Sequence, residues 1–466
     1  MSKKGGNIWL FIAKAALFFI ILAVFYLGQF FFYATTRFYF WGNNIVLMLY
    51  AINLFFSSST FRSMQFGVID WQEGILSWGL SLIVTNVLQY FLLSLLESMI
   101  LPVVGFLIVL AAQIILIIPL IYFIDKLYYF LHPAHKAIII YEREEKARNY
   151  SAIIEKHKKR FVIKQAISQN EPMDVLQSSI KAAESVFFID VDEKRLGSLL
   201  EYCFLHDKRS YILPTFSGVL LNAADISWIS NTPMFLPKSP AFDPVLLFIK
   251  RCMDVFFSII LIILFSWLML LAWVAIRLYD RHPAIYKQVR VTKGGELFTL
   301  YKFRSMRPDA EADGVARLSV RGDDRVTPVG KIIRKTRIDE LPQLFNILFG
   351  SMSLVGPRPE RPEIAKQYEE IYPNFALRTK VKAGMTGYAQ IFGRYNTAPD
   401  EKLFLDVLYI EKFSILQDIK LILQTVKVVF IPSSTEGVAE DDTTALRTGG
   451  AAEGPPSATG NSNDAQ

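Results

Sequence analysis

The sequence predicts a membrane protein of three parts: a four-helix transmembrane bundle, a cytoplasmic α/β domain with a parallel sheet, and a mixed α+β module that opens with a fifth apolar run. Three observations predict it. Of the 466 residues 52% are hydrophobic and the mean hydropathy is positive, too apolar for an ordinary soluble enzyme. Four apolar stretches crowd the first 125 residues. Beyond them, strand-like runs alternate with helical ones, the pattern of a parallel α/β domain.

The apolar stretches 8–32, 43–61, 75–96 and 101–124 each approach the roughly 20 residues that a spanning helix needs. The first is long and lacks a small-residue cleavage site, so it is expected to stay on the chain rather than be removed as a signal peptide. Lys3 and Lys4 precede the first span, Arg62 lies between the second and third, and Lys126, Lys136, Arg143, Lys146 and Arg148 follow the fourth. The outer loops hold only Arg37 and Glu97. This bias places both ends of the bundle, residues 1–125, in the cytoplasm. The net charge of +7 suits a cytoplasmic portion lying against anionic lipid. No Lys/Arg tract with interleaved aromatics points to nucleic acid.

In residues 126–234, KAIIIYE, RFVIKQAI, SVFFIDV and SYILPTF read as strands and LGSLLEYCFLHD as a helix. A dinucleotide-binding unit would set G-x-G-x-x-G after the first strand, where backbone amides approach a pyrophosphate. The residues there are YEREEK, three acids and no glycine. The domain is therefore expected to be a degenerate, Rossmann-like fold with a structural or regulatory role.

A linker, 235–249, opens with the Pro-rich FLPKSPAFDP and leads into the module 250–432, whose apolar run is 255–276. As an ordinary span this run would carry everything after it outside the cell. Lys250 and Arg251 precede it and Arg277, Arg281 and Lys287 follow, so neither flank is biased toward the exterior. A re-entrant helix, or one lying shallowly in the membrane, keeps both flanks cytoplasmic. Near its centre only Ser266 could ease a bend, and there is no proline. The remainder mixes short strands such as LFTLYKF with amphipathic helices such as EIAKQYEEIY and FLDVLYIEKF. The segment 433–466 has no aromatic residue and is expected to be disordered.

The two cysteines, Cys203 and Cys252, are far apart, and all five histidines lie at or before His282. Chemistry beyond residue 282 must use carboxylates, hydroxyls, lysine or a metal ion. RKTRIDELPQLFN, 334–346, sets Asp339 and Glu340 behind Arg334, Lys335 and Arg337 and just ahead of an apolar helical run. Ionised carboxylates ligate Mg²⁺, which also partners substrate phosphates, and a carboxylate can attack phosphorus. An N-cap Asp with a first-turn Glu, or a solvated ion pair, explains the same residues. Unpaired amides and flanking bases are expected to keep Asp339 ionised. In GPRP, 356–359, prolines stiffen the loop that presents Arg358, whose planar fork suits phosphate; a plain turn with an exposed arginine is the alternative. Lys302 and Arg304 stand at i and i+2 of a strand, on one face opposite Phe303, where two cations suit a diphosphate or simply a solvated face.

KFRSM, the run DDRVTPVGKIIRKTRIDELPQLFNILFGSMSLVGPRPE and TGYAQIFGR together resemble the bacterial sugar transferase family, the polyisoprenyl-phosphate hexose-1-phosphate transferases, over about 250–430. The upstream bundle and α/β domain resemble the long-form members that start O-antigen, capsule or exopolysaccharide assembly. The resemblance implies an undecaprenyl-phosphate hexose-1-phosphate transferase, which converts UDP-sugar and undecaprenyl phosphate into undecaprenyl-diphosphate-sugar and UMP. It implies Asp339 as the nucleophile that is left as a phospho-sugar ester, with Glu340 helping to hold Mg²⁺. Lys302, Arg304 and Arg358, together with Arg337 and Gln343 of the dyad segment, would bind phosphate or nucleotide. It also implies a monotopic phosphoglycosyl transferase domain, anchored by a re-entrant helix on the cytoplasmic face of the bacterial inner membrane, with membrane lipid as a partner and a homodimer as the family expectation. The sequence departs from the family twice: Ser266-Trp267 replaces the Ser-Pro of the membrane helix, and Ala383-Gly384-Met385-Thr386-Gly387 replaces Pro-Gly-x-Thr-Gly. The competing expectations are a glycosyl transferase that releases UDP and a noncatalytic membrane scaffold. The intact dyad, KFR and GPRP segments weigh against the scaffold.

Overall fold

The computed structural model describes residues 3–32, 41–222, 224–237, 243–310, 323–393 and 399–429, and the side chains from residue 8 onward. The tail 433–466, Arg37 and Arg394 of the TGYAQIFGR segment lie outside the described residues. The chain divides into two compact units, Met1–Val219 and Leu220–Gln466.

In the first unit the apolar stretches form helices α1 (Lys3–Phe32), α2 (Gly42–Thr60), α3 (Trp71–Leu96) and α4 (Val103–Leu131). Among the described residues, α1, α3 and α4 are long and apolar enough to cross a membrane, as is a fourth helix in the second unit. α2 is less apolar, because it carries Asn43, Asn44 and Asn53 and ends in Ser-Ser-Ser-Thr. It still buries Tyr50 and Leu54 in one cluster with Leu17, Trp78, Leu82 and Ile117. Polar side chains thread that core. Gln113 accepts from Asn86 at 2.8 Å and donates to Tyr50 Oη at 2.9 Å and Ile21 O at 3.2 Å, so one side chain of α4 touches the other three helices.

The α/β domain follows with β1 (His135–Tyr141), α5 (Glu144–Glu155), β2 (Phe161–Ser168), α6 (Met173–Ala182), β3 (Ser185–Ile189), α7 (Glu193–Leu205), β4 (Arg209–Ile212) and α8 (Phe216–Asn222). All four strands are parallel, in the order β2-β1-β3-β4. Alternation along β1 explains the two apolar layers: Ile138 and Ile140 pack with α6 and α7, while Ala137 and Ile139 pack with α5. At the end of β1, where a phosphate cradle would sit, Arg143 and Lys146 pair instead with Asp190. Helix α6 was not anticipated from sequence, because its ten residues bury only Leu176 and Ile180.

Beyond α8 the second unit holds an antiparallel hairpin, β5 (Asp225–Ile229) and β6 (Thr232–Leu236), which straddles the boundary expected at 234/235 between the α/β domain and the linker. Helix α9 (Pro244–Asp280) starts inside the stretch 235–249 read as a linker, because Asp243 Oδ1 accepts from Val245 N–H at 2.9 Å and Pro244 occupies the first turn. It is continuous over 37 residues, about 55 Å at 1.5 Å per residue. Ser266 Oγ donates to Ile263 O without interrupting it.

Charged side chains tie the start of α9 into the unit. Lys250 Nζ reaches Val355 O at 3.1 Å and Asp418 Oδ2 at 2.5 Å. Arg251 donates to Ile347 O and Leu348 O at 2.6 and 2.7 Å. Asp254 Oδ1 accepts from Leu354 N–H at 3.0 Å. Lys250 and Arg251, read from sequence as flanking charges, thus serve inside the protein. At the other end Ala272 and Ile276 pack with Ala284, Phe303 and Ile333, and Asp280 Oδ2 lies 3.4 Å from Arg304. Both ends of α9 therefore rest on the same unit. Phe256, Ile260, Ile263, Trp267, Leu270 and Val274 face away from it, exposed.

The rest comprises the hairpin β7 (Ile285–Val291) and β8 (Leu297–Phe303), α10 (Pro328–Lys335), α11 (Gln343–Phe349), β9 (Ser353–Val355), α12 (Pro362–Ile371), β10 (Gly384–Thr386), α13 (Tyr388–Phe392), α14 (Pro399–Glu411) and α15 (Ile415–Val429). Leu300, Leu344, Ile347, Leu354, Tyr409 and Leu421 form the core beneath the parallel pair β9–β10.

Candidate active site

Two elements converge on the acidic pair. Asn346 of α11 locks onto β8, accepting from Tyr301 N–H at 2.9 Å and donating to Thr299 O at 2.7 Å. This register brings Lys302 under the dyad while Phe303 is buried on the opposite face. Helix α10 is capped by Thr327 Oγ1, which accepts from Gly330 N–H at 2.9 Å, and it ends at Thr336. The chain then reverses through Arg337 at φ 58° into a 3-10 turn, Ile338–Glu340.

The dyad therefore does not cap a helix. α11 begins only at Gln343, after Pro342, and no side-chain cap bond is made by the 3-10 turn or by α11. The adjacent carboxylates have unlike surroundings. Glu340 Oε1 lies 3.3 Å from Lys302 Nζ, 3.3 Å from Arg358 Nη2 and 3.8 Å from Arg337 Nη1. Asp339 Oδ1 is buried and accepts no hydrogen bond.

Their proton affinities diverge accordingly. Burial raises the Glu340 carboxyl, but Lys302, Arg358 and Arg337 outweigh it and hold the group well below the usual carboxylate range. Burial, then the Glu340 charge, pushes Asp339 up to about 6 against Lys302, Arg334 and Arg337. The expected effect of unpaired helix amides and flanking bases on Asp339 is thus reversed in direction: no α-helix starts at the dyad, and its affinity for a proton is raised, by burial first and then by Glu340, which takes the cations. The Lys302 ammonium is lowered by burial, with Glu340 opposing.

The GPRP loop supplies Arg358 from the side of β9. Gly356 touches the loop of Gly384 and Gly387 so closely that a Cβ on Gly384 would lie 2.1 Å from Gly356 N and one on Gly387 2.3 Å from Gly356 O. The glycines kept in Ala383–Gly387 are the ones this contact requires. Ala383, where the family has proline, uses its N–H to donate to Thr292 Oγ1 at 3.2 Å, a bond a proline would forfeit. Behind the loop is a cavity of about 30 Å³ lined in part by Thr292, Pro357, Glu360 and Phe375, space for a water or two rather than a nucleotide.

Of the residues picked from sequence, Lys302, Arg337, Arg358, Asp339 and Glu340 come together. Arg304 does not share their partners: its guanidinium pairs with Asp280 of α9. Gln343 is buried at the start of α11, just beyond the dyad. Sequence reasoning missed Arg290 and Arg378, which bond the main chain of the GPRP loop. Arg290 stands between Val289 and Val291, a weak signal of a buried, paired arginine, whereas Arg378, between Leu377 and Thr379, carries none. Among the described residues no group of three or more His, Cys, Asp or Glu could hold a metal ion.

Residues 245–432 match the family model described as bacterial sugar transferase. The chain is 43% identical over 190 residues to a UDP-N-acetylgalactosamine-undecaprenyl-phosphate N-acetylgalactosaminephosphotransferase of Aeromonas hydrophila, covering 40% of this chain and 45% of that protein. It is 41% identical over 225 residues to a UDP-glucose:undecaprenyl-phosphate glucose-1-phosphate transferase of Klebsiella pneumoniae, covering 47% and 48%. A protein of the same name from Caulobacter vibrioides is 42% identical over 182 residues, which cover 38% of this chain and 68% of that one. The chain spans about half the length of the first two relatives.

Proposed function

The chain belongs to the bacterial sugar transferase family, and from that membership we propose that it moves a hexose-1-phosphate from a UDP-sugar to undecaprenyl phosphate and releases UMP, as the first membrane step of exopolysaccharide, capsule or O-antigen assembly. One observation carries the reading. Asp339 carries a buried carboxylate oxygen, Oδ1, that accepts no hydrogen bond, beside a second carboxylate already neutralised by Lys302, Arg337 and Arg358.

A Glu340 held ionised by three cations leaves Asp339 as the reactive oxygen donor, and a carboxylate whose proton affinity is raised is the better nucleophile at neutral pH. In the first step an Asp339 oxygen bonds to the phosphorus that carries the sugar. The bond from that phosphorus to the UMP oxygen breaks, and UMP leaves with the electron pair. In the second step an oxygen of the lipid phosphate bonds to the same phosphorus, the Asp339–phosphorus bond breaks, and the carboxylate is restored. In this reading Arg358 and Lys302, both beside Glu340, bind the donor's diphosphate, Arg358 from a loop stiffened by its prolines.

Mg²⁺ fits the donor set, two hard carboxylates of which Asp339 Oδ1 lacks any partner. Asp339 and Glu340 would hold it together with substrate phosphates, and it would supply charge neutralisation at the phosphoryl oxygens.

The proposed site is cytoplasmic, at the surface of the bacterial inner membrane, with α9 as a re-entrant or shallow membrane helix. The support is that both ends of α9 pack on one unit while an apolar stripe faces outward. The same reading makes membrane lipid a partner, and a homodimer remains the family-level expectation.

The direct test incubates purified protein with labelled UDP-sugar and no lipid. The expected result is a sugar-phosphate trapped on Asp339, seen by mass spectrometry, absent in Asp339→Asn, with UMP in solution. UDP as the product would make the protein a glycosyl transferase instead.

A further inference from the structure

The loop that presents Arg358 is tethered at every residue through its main chain. Gly356 N–H donates to Thr386 O and Pro357 O accepts from Gly384 N–H, both at 2.8 Å; Glu360 O accepts from Val291 N–H at 3.0 Å. These are backbone pairings of the β7, β9 and β10 regions. The two carbonyls between them are held differently: Arg358 O accepts from Arg378 at 2.9 Å and Pro359 O from Arg290 at 3.0 Å. Prolines at 357 and 359 remove the N–H groups that would let this stretch pair as a strand, so side chains must supply the donors.

Arg378 is 5% exposed. Its guanidinium lies 2.7 Å from Asp406 Oδ2 of α14, 3.4 Å from Glu360 Oε1, and 4.7 Å above the Phe375 ring. Two carboxylates balance and orient the buried cation, and the bond that remains is aimed at the one carbonyl whose side chain reaches Glu340.

We infer that Arg378, oriented by Asp406, is a positioning residue for Arg358: it fixes the backbone from which Arg358 reaches the dyad, and thereby sets affinity for the donor's diphosphate. This rests on the reading of the site as a UDP-sugar site. An arginine that merely stabilised the fold would lower activity in any background. One that acts through Arg358 loses its effect once Arg358 is gone.

The test is a double-mutant cycle of Arg358→Ala and Arg378→Ala, with UDP-sugar binding, KM and kcat for UMP release, and thermal melting measured for each protein. Arg378→Ala is expected to raise KM and Kd for UDP-sugar about tenfold with kcat changed less than about threefold, and Arg378→Lys to recover part of that loss. In the Arg358→Ala background, Arg378→Ala should add nothing to KM. An equal factor in both backgrounds, or an unchanged KM in Arg378→Ala, overturns the inference. If Arg378→Ala does not fold, Asp406→Asn, which keeps the volume and removes the orienting charge, takes its place in the cycle with the same expectations. Wild-type protein that binds UDP-sugar but releases no UMP would sink the functional reading, leaving the binding cycle to decide the role of Arg378.

Discussion

The Arg358 guanidinium lies 3.3 Å from Glu340 and not against Asp339, although the two acids are neighbours in sequence. The cations of the site thus go to one carboxylate, and Oδ1 of the other, the proposed nucleophile, is left without a hydrogen-bond partner. The first consequence is a pH profile. With Asp339 pushed up to about 6 by burial and by Glu340, UMP release without lipid should fall about tenfold per pH unit below that value, since the protonated carboxyl does not attack. Glu340→Gln removes the like charge and frees Lys302 and Arg337 to favour ionised Asp339, so the acid limb should move to lower pH. A limb that stays in place or rises would refute the assigned coupling.

Lys302 and Arg304 share a strand but divide their work. Lys302 is paired with Glu340, so Lys302→Ala should lower kcat/KM about 30-fold or more. Arg304 is paired with Asp280, and Arg304→Ala should lower the melting temperature while changing donor KM less than about threefold. Equal effects of the two on KM would place both cations on the donor.

Gly384→Ala should destabilise by roughly 1–3 kcal/mol, because its Cβ would meet Gly356 backbone that cannot yield. Gly197→Ala, on the exposed face of helix α7 with nothing within 4 Å, should stabilise by about 0.4–1 kcal/mol. Thermal melts of the two variants should shift in opposite directions.

Exposed Cys252 near the start of α9 and an introduced Tyr279→Cys near its end probe the membrane disposition. Both should resist a membrane-impermeant maleimide in intact cells and react after permeabilisation. Reaction at position 279 from outside would mean that α9 crosses the membrane.

Much of this was legible in sequence because it lies in period and composition. The strands of the α/β domain and LFTLYKF announce themselves by apolar runs, and Asp339, Glu340, Lys302 and Arg358 by motif. What was hidden depends on long-range pairing. That Asp339 sits in a 3-10 turn follows from Arg337 adopting a left-handed conformation, which no local pattern signals. That Arg378 serves the GPRP loop follows from α14 bringing Asp406 beside it, 28 residues further along. The different partners of Lys302 and Arg304 arise because β8 ends at Phe303, and beyond a strand's end the alternation of faces no longer applies.

The Asp280–Arg304 pair gives α9 a mechanical role. Arg304 stands two residues from Lys302 on one chain segment, so the last turns of the helix are linked to the base of the site by this charge pair, by the packing of Ala272 and Ile276 with Phe303, and by a short lever of backbone. In the proposed membrane setting, displacement of the helix end reaches Lys302, one of the three cations around Glu340, and turnover is then expected to respond to bilayer thickness as well as to substrate.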